Sequence, residues 1–200
     1  MLQDYRYFAL HKPYGMVSQF VSPDPVRLLG ELDFSFPEGT HALGRLDADS
    51  EGLLLLTTDR RMTRWLFSSG QPHHRTYLVR VKGRVEEASL EKLRQGIVLP
   101  HKGGGSYTTS PCAARQVETP GWLDPRPGLY EPAPHTWLEM VLTEGRYHQV
   151  RKMVCAIGHR CQRLVRVSME DLHLDSLPPG GVQEYAQADF FRLLHLSGAG

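Results

Sequence analysis

Gly44-Arg45-Leu46-Asp47-Ala48-Asp49-Ser50-Glu51-Gly52-Leu53-Leu54-Leu55-Leu56-Thr57 sets three carboxylates at alternate positions directly ahead of a four-leucine run. The run is too short for an amphipathic helix and is expected to be a fully buried strand. A strand buried on both faces needs neighbours, and the flanking chain supplies candidates. On the N-terminal side, residues 5–11 (Tyr-Arg-Tyr-Phe-Ala-Leu-His) have the aromatic composition of a strand and stop at Lys12-Pro13-Tyr14-Gly15, which carries turn chemistry. On the C-terminal side, Thr76 to Lys82 alternates strictly, with Tyr77, Val79 and Val81 on the face expected to meet the core. Trp137 to Leu142 and Arg163 to Met169 read as further strands.

Helical signals lie between these strands. A short helix is expected near Arg27 to Leu32. Asp59 is placed to cap a helix over Arg60 to Phe67, ended by Ser68-Ser69-Gly70, and Glu86 to Gln95 reads as a helix closed by Gly96. Tyr147, Val150, Val154 and Ile157 recur at helical spacing, with Gly158 as the cap and Arg151 at the flank of the stripe. Five prolines between Pro120 and Pro134 mark an irregular excursion, and Pro178-Pro179-Gly180-Gly181 a tight turn. Strands and helices do not alternate regularly, so the fold class is α+β: a mixed, mainly antiparallel central sheet with flanking helices. At 200 residues a single domain, 1–200, is expected.

Composition narrows the function classes. No apolar run approaches the roughly 20 residues of a membrane span, and the start of the chain lacks the pattern of a secretory signal, so no membrane partner and a cytoplasmic location are expected. Three sparse cysteines do not make a disulfide framework. The formal net charge of +1 conceals an uneven distribution. No acid lies between Asp59 and Glu86, where Arg60, Arg61, Arg64, Arg75, Arg80, Lys82 and Arg84 occur. The same holds between Glu144 and Glu170, with Arg146, Arg151, Lys152, Arg160, Arg163 and Arg166. Each run alone is an ordinary solvated surface; two of them raise a phosphate-bearing partner to equal standing.

The acidic segment has three readings. As a calcium loop it fails, because the twelfth position is Thr58 rather than a bidentate glutamate and leucines fill the second half. As a structural turn, Asp and Ser bond their own backbone. As a catalytic loop, a carboxylate fixed between a turn and a buried strand is rigid enough to attack a carbon. A glycosidase-like hydrolase would want a second carboxylate, for which Asp49 or Glu51 is available. The scattered His73, His74, His159, Cys155 and Cys161 lack metal-ligand spacing, and no metal is expected. Gly103-Gly104-Gly105 lacks a following Lys-Ser/Thr and is read as a loop.

Gly44-Arg45-Leu46-Asp47 with Ser50 to Thr57 resembles the signature of the RsuA-like family of ribosomal RNA pseudouridine synthases. Three further blocks follow the same order: His11-Lys12-Pro13-Tyr14-Gly15, Arg75-Thr76-Tyr77-Leu78-Val79, and Glu144-Gly145-Arg146-Tyr147-His148-Gln149-Val150-Arg151-Lys152-Met153. The likeness runs from Phe8 to about Tyr185. It implies the pseudouridine synthase fold and isomerisation of a uridine in ribosomal RNA without a cofactor. It also implies that Asp47 is the catalytic aspartate, Tyr77 the tyrosine lying against the uracil, and Arg151 the cation paired with the aspartate. Arg45 would fill the space left by the flipped nucleotide and Val150 would pack near the base. Arg146 and Lys12 would contact backbone phosphate or shape the site. Trp122-Leu123-Asp124-Pro125-Arg126, and a first strand beginning within about ten residues of Met1, resemble the compact E-type large-subunit subgroup without an N-terminal S4 domain. That implies 23S ribosomal RNA as partner, with a monomer expected. Arg75 stands where the family commonly has lysine, which keeps the charge and alters its geometry.

Overall fold

The structure is a computed structural model, which describes residues 5–68, 70–101, 103–126, 128–129 and 134–196. Along the chain the strands are β1 (Tyr7–Lys12), β2 (His41–Leu43), β3 (Glu51–Thr57), β4 (Arg75–Lys82), β5 (Val98–Pro100), β6 (Ser106–Thr108), β7 (Ala113–Val117), β8 (His135–Leu142), β9 (Cys161–Met169), β10 (Leu172–His173) and β11 (Val182–Tyr185). The α-helices are α1 (Met62–Ser68), α2 (Glu87–Gln95), α3 (Gln149–Ala156) and α4 (Gln187–Leu193), and a 3-10 turn covers Leu29–Glu31. The class is the expected one, mixed α+β with a mainly antiparallel central sheet. Two compact units emerge: residues 1–73 with 165–200, and residues 74–164. No helix among the described residues is long and apolar enough to cross a membrane.

In the first unit β3 is the axis. Leu53, Leu54, Leu55 and Leu56 are all 0% exposed, as a continuous apolar run in a two-sided strand requires. β1 lies between β3 and β11 and is antiparallel to both, β2 is antiparallel to β3, and β10 is antiparallel to β9. The exception is parallel: Glu51 and Gly52 of β3 pair with Val165 and Arg166 of β9. A core of Phe8, Leu10, Met16, Leu29, Leu46, Leu54 and Leu56 fills one side of this unit. α1 starts at Met62, two residues later than expected, and Asp59 serves the turn ahead of it, accepting the Arg61 backbone N–H at 3.0 Å and both arms of the Arg61 guanidinium. α1 follows, and Ser69 of its expected stop lies outside the described residues.

In the second unit β8 is flanked by β4 and β7 in an antiparallel meander, and β5 pairs with β6. α2 ends at Gly96, whose φ of 94° suits glycine and where a Cβ would stand 2.4 Å from the Thr109 carbonyl oxygen. The three glycines 103–105 turn the β5–β6 hairpin, with the His101 N–H donating to the Gly105 carbonyl at 3.0 Å. Residues 120–126 are irregular as expected; residues 127 and 130–133 of that excursion lie outside the described residues.

Two expectations need correction. α3 begins at Gln149, so Tyr147 is not on its apolar stripe: His148 adopts a left-handed φ of 52°, which turns the chain ahead of the helix and leaves Tyr147 64% exposed. The basic runs are not uniformly solvated either, because Arg75, Arg80, Arg163 and Arg166 are buried. Arg80 donates to His135 Nδ1 at 2.9 Å, Arg163 to the Asp124 carbonyl at 2.8 Å and Arg166 to the Leu53 carbonyl at 2.7 Å.

Candidate active site

In the first unit Asp47 sits, half-buried, on the loop between β2 and β3. Its backbone is tied on both sides. The Ser18 hydroxyl bonds both the N–H and the C=O of Leu46, each at 2.9 Å, and the Leu46 side chain is anchored in the core. Beyond Asp47, its carbonyl accepts the Ser50 N–H at 3.0 Å to close a turn, and Gly15 donates to the Ala48 carbonyl at 2.7 Å. Gly15 has φ of 78°, so the turn that follows β1 is shaped to reach this loop. Gly52 fixes the far end, because a Cβ there would lie 2.2 Å from the Arg166 carbonyl oxygen. The carboxylate is therefore carried by a backbone that cannot swing freely.

Lys12, at the end of β1, is 0% exposed. Its ammonium donates to the carbonyls of Met16 and Pro13. Burial pushes this amine down to about 8, against the opposing pull of the Glu51, Asp49 and Asp47 carboxylates, while Arg166 pushes it down further. Lys12, Asp47, Asp49, Glu51 and Arg166 thus share one electrostatic neighbourhood. The hydrogen bonds of Lys12 run to backbone carbonyls inside the fold. Arg45, one residue after Gly44, is exposed.

In the second unit Tyr77 lies on β4, opposite Met140 of β8, and packs half-buried against the cluster that contains Val150, Met153 and Val154. The structure therefore brings Tyr77 and Val150 to the same apolar patch, with the tyrosine on the core side as its alternation implies. Arg151 is half-buried in the first turn of α3, and Arg146 is exposed just ahead of it. This segment is braced by side chains: Glu144 Oε1 accepts the Ser110 N–H at 2.8 Å and Gln149 Nε2 at 2.6 Å, while Gln149 Oε1 accepts the Arg146 N–H at 2.9 Å. Gln149 thereby fixes the turn that leads into α3. Arg75 is buried at the start of β4, and Gly145 is glycine for its sake, because a Cβ there would meet Arg75 Nη1 at 2.8 Å.

Sequence reasoning did not find Ser18, Gln149 or the burial of Arg166. Ser18 is 28 residues from Leu46, and nothing local in the sequence links them. Gln149 stands three residues after Arg146, but it is itself the first residue of α3, so its brace does not follow the spacing of a helix-capping pattern.

The sequence profile of the RNA pseudouridylate synthase family matches residues 6–156. The chain is 40% identical over 175 residues to "Ribosomal large subunit pseudouridine synthase E" of Xanthomonas axonopodis pv. citri (strain 306), covering 85% of this chain and 88% of that protein. It is 38% identical to the protein of the same name from Vibrio parahaemolyticus serotype O3:K6, covering 92% of this chain and 75% of that protein. A solved structure described as a pseudouridylate synthase superposes with a TM-score of 0.75 at 29% identity, covering 96% of this chain and 75% of that one.

Proposed function

We propose that this chain, which belongs to the RNA pseudouridylate synthase family, isomerises one uridine of large-subunit ribosomal RNA to pseudouridine with Asp47 as nucleophile. The observation that carries the role of Asp47 is its setting: a half-buried carboxylate on a loop pinned through Leu46, Ala48 and Ser50, in the field of a buried lysine. The reaction breaks N1–C1′, turns the detached uracil and joins C5 to C1′; C5 gives up its proton and N1 finishes protonated, so nothing is oxidised or reduced. Attack at C1′ and addition to the uracil ring both call for one rigid carboxylate, which Asp47 supplies.

The target must leave its stack, which costs a few kcal/mol that base and phosphate contacts return. In this reading the chain is a single catalytic domain. Tyr77 lies against the uracil with its hydroxyl available for the proton, Val150 packs at the base, and Arg151 pairs with the aspartate. Arg45 takes the place of the flipped nucleotide, Arg146 meets phosphate, and Lys12 holds the loop. The enzyme acts as a monomer in the cytoplasm.

The test is carbodiimide mapping of pseudouridine in large-subunit ribosomal RNA from cells with and without the protein. One site should vanish in its absence and return with the wild-type chain. Asp47→Asn should leave it missing, lowering the rate by about a thousandfold or more while RNA binding persists. A mutant that restores the site would remove Asp47 from the chemistry.

A further inference from the structure

The second unit has an aromatic and cationic recess of about 180 Å³, lined by Pro100, His101, Tyr107, Arg146, Tyr147 and Lys152, of which Arg146 alone was assigned a role above. We propose that it is a stacking subsite for one unpaired nucleobase of the RNA next to the target uridine, an inference that rests on the function proposed above. The volume is below the roughly 300 Å³ at which enclosed sites for larger ligands begin, and suits a single ring entering from one side.

Its chemistry is that of single-strand RNA recognition, in which aromatic faces take bases and neighbouring cations take phosphates. Tyr147 is 64% exposed, and its ring stacks on His148 with centroids 3.9 Å apart and planes 18° apart. The pair presents aromatic surface at the recess, against which a base packs by displacing the mobile end of Lys152. Lys152 Nζ stands 5.4 Å from the Tyr147 ring centroid, and the Arg146 guanidinium 4.3 Å from that of Tyr107. Cations on the rings suit a ligand that brings π-surface and negative charge together.

Two further observations mark the place as built for a ligand. His148 has φ of 52°, and a non-glycine residue held in the left-handed region points to a local demand, here the turn that lifts Tyr147 off α3. The Tyr107 hydroxyl is buried and has no hydrogen-bond partner among the described residues. A buried hydroxyl left in that state gains a partner from the polar edge of a base once the Arg146 side chain over the Tyr107 ring moves aside. Glu144, whose Oε2 stands 3.6 Å from Arg146, offsets part of that cation's charge, and Lys152 supplies a second cation to the recess.

The experiment measures binding of the full chain to a fluorescently labelled single-stranded RNA of about twelve nucleotides, together with a series in which each nucleotide in turn is made abasic. Tyr147→Ala should weaken binding about tenfold, whereas Tyr147→Phe and Tyr147→Trp stay within about twofold, since the ring and not the hydroxyl does the stacking. One abasic position should cost the wild type about tenfold and Tyr147→Ala almost nothing. Lys152→Gln should lower the slope of log affinity against log salt by about 0.7. The proposal is overturned if Tyr147→Ala binds like the wild type with an unchanged thermal melt, or if the wild type is indifferent to every abasic position, which would leave phosphate contacts alone. Pseudouridine formation on ribosomal RNA, scored in parallel, separates the two levels. Isomerisation by a protein whose Tyr147→Ala form binds and reacts as well as the wild type sinks the subsite only. A discriminating shelf on a protein that isomerises nothing upholds the subsite and sinks the reading beneath it.

Discussion

Lys12 shows how far a residue's setting can depart from its type. Lysine is almost never fully buried, and its position in the His11 to Gly15 block gave no sign that its amine would end among backbone carbonyls. Asp47 was legible because its motif is contiguous: glycine, carboxylates, serine and leucines within one stretch. Its tether to Ser18 was not, since that contact exists only once β1 and β3 have paired. The buried amine makes a prediction of definite sign. Its folded value of about 8 lies below the ordinary 10.5, so between those values the unfolded chain holds more protons than the native one. Stability from this group is therefore lowest below about pH 8 and rises with pH through the window, by about 3 kcal/mol in all. Urea unfolding of the wild type and Lys12→Met between about pH 7 and pH 11 should show the wild type gaining on the variant by that amount. A pH-independent difference would mean that the folded amine titrates as it does in the unfolded chain.

At the scale of elements, the apolar run and the alternating strand were readable because burial on two faces, or on one, leaves a distinct period. β7 was not, since only Ala114 of its five residues is buried and its identity comes from pairing with β8. α4 was missed for a related reason: seven residues give barely two turns, too few for a period to emerge. The apolar spacing from Tyr147 onward ran past the true start of α3, because one left-handed residue stops a helix without disturbing the spacing. The parallel β3–β9 step was beyond sequence reasoning, yet its mark is Gly52. With φ of 100° and a virtual Cβ 2.8 Å from the Arg166 nitrogen and 2.2 Å from its carbonyl oxygen, this position meets backbone that cannot move aside. Gly52→Ala is expected to cost about 3 kcal/mol or more, read as a lower urea midpoint with an unchanged m-value. Gly15→Ala meets no atom within 4 Å and should cost less, about 1 kcal/mol from its φ alone.

For the whole molecule the question is how a chain of net charge +1 holds a polyanion. The acid-free runs suggested an answer by count, and the structure divides that count by burial. Arg75, Arg80, Arg163 and Arg166 are interior, tying carbonyls and a histidine, whereas Arg60, Arg64, Lys82, Arg84, Arg146 and Arg160 are exposed. Arg61 is half committed, its guanidinium bonded to the buried Asp59 carboxylate, which it helps hold below the usual carboxylate range against the opposing effect of burial. Sequence alone cannot make this division, because arginine enters either environment when its fork finds carbonyls or carboxylates. The two classes should separate in one pair of measurements. Neutralising an exposed cation, Arg64→Gln, should lower the salt slope of RNA binding by about 0.7 if that residue meets phosphate, and leave the melting temperature within a degree or two. Truncating a buried one, Arg80→Ala, should leave the slope alone and lower stability by about 3 kcal/mol, because it removes a hydrogen bond to His135 and opens a cavity in a fully buried place. If Arg80→Ala changed the slope instead, the interior arginines would be part of the RNA-binding surface, and the charge that meets RNA would have to be counted over both classes.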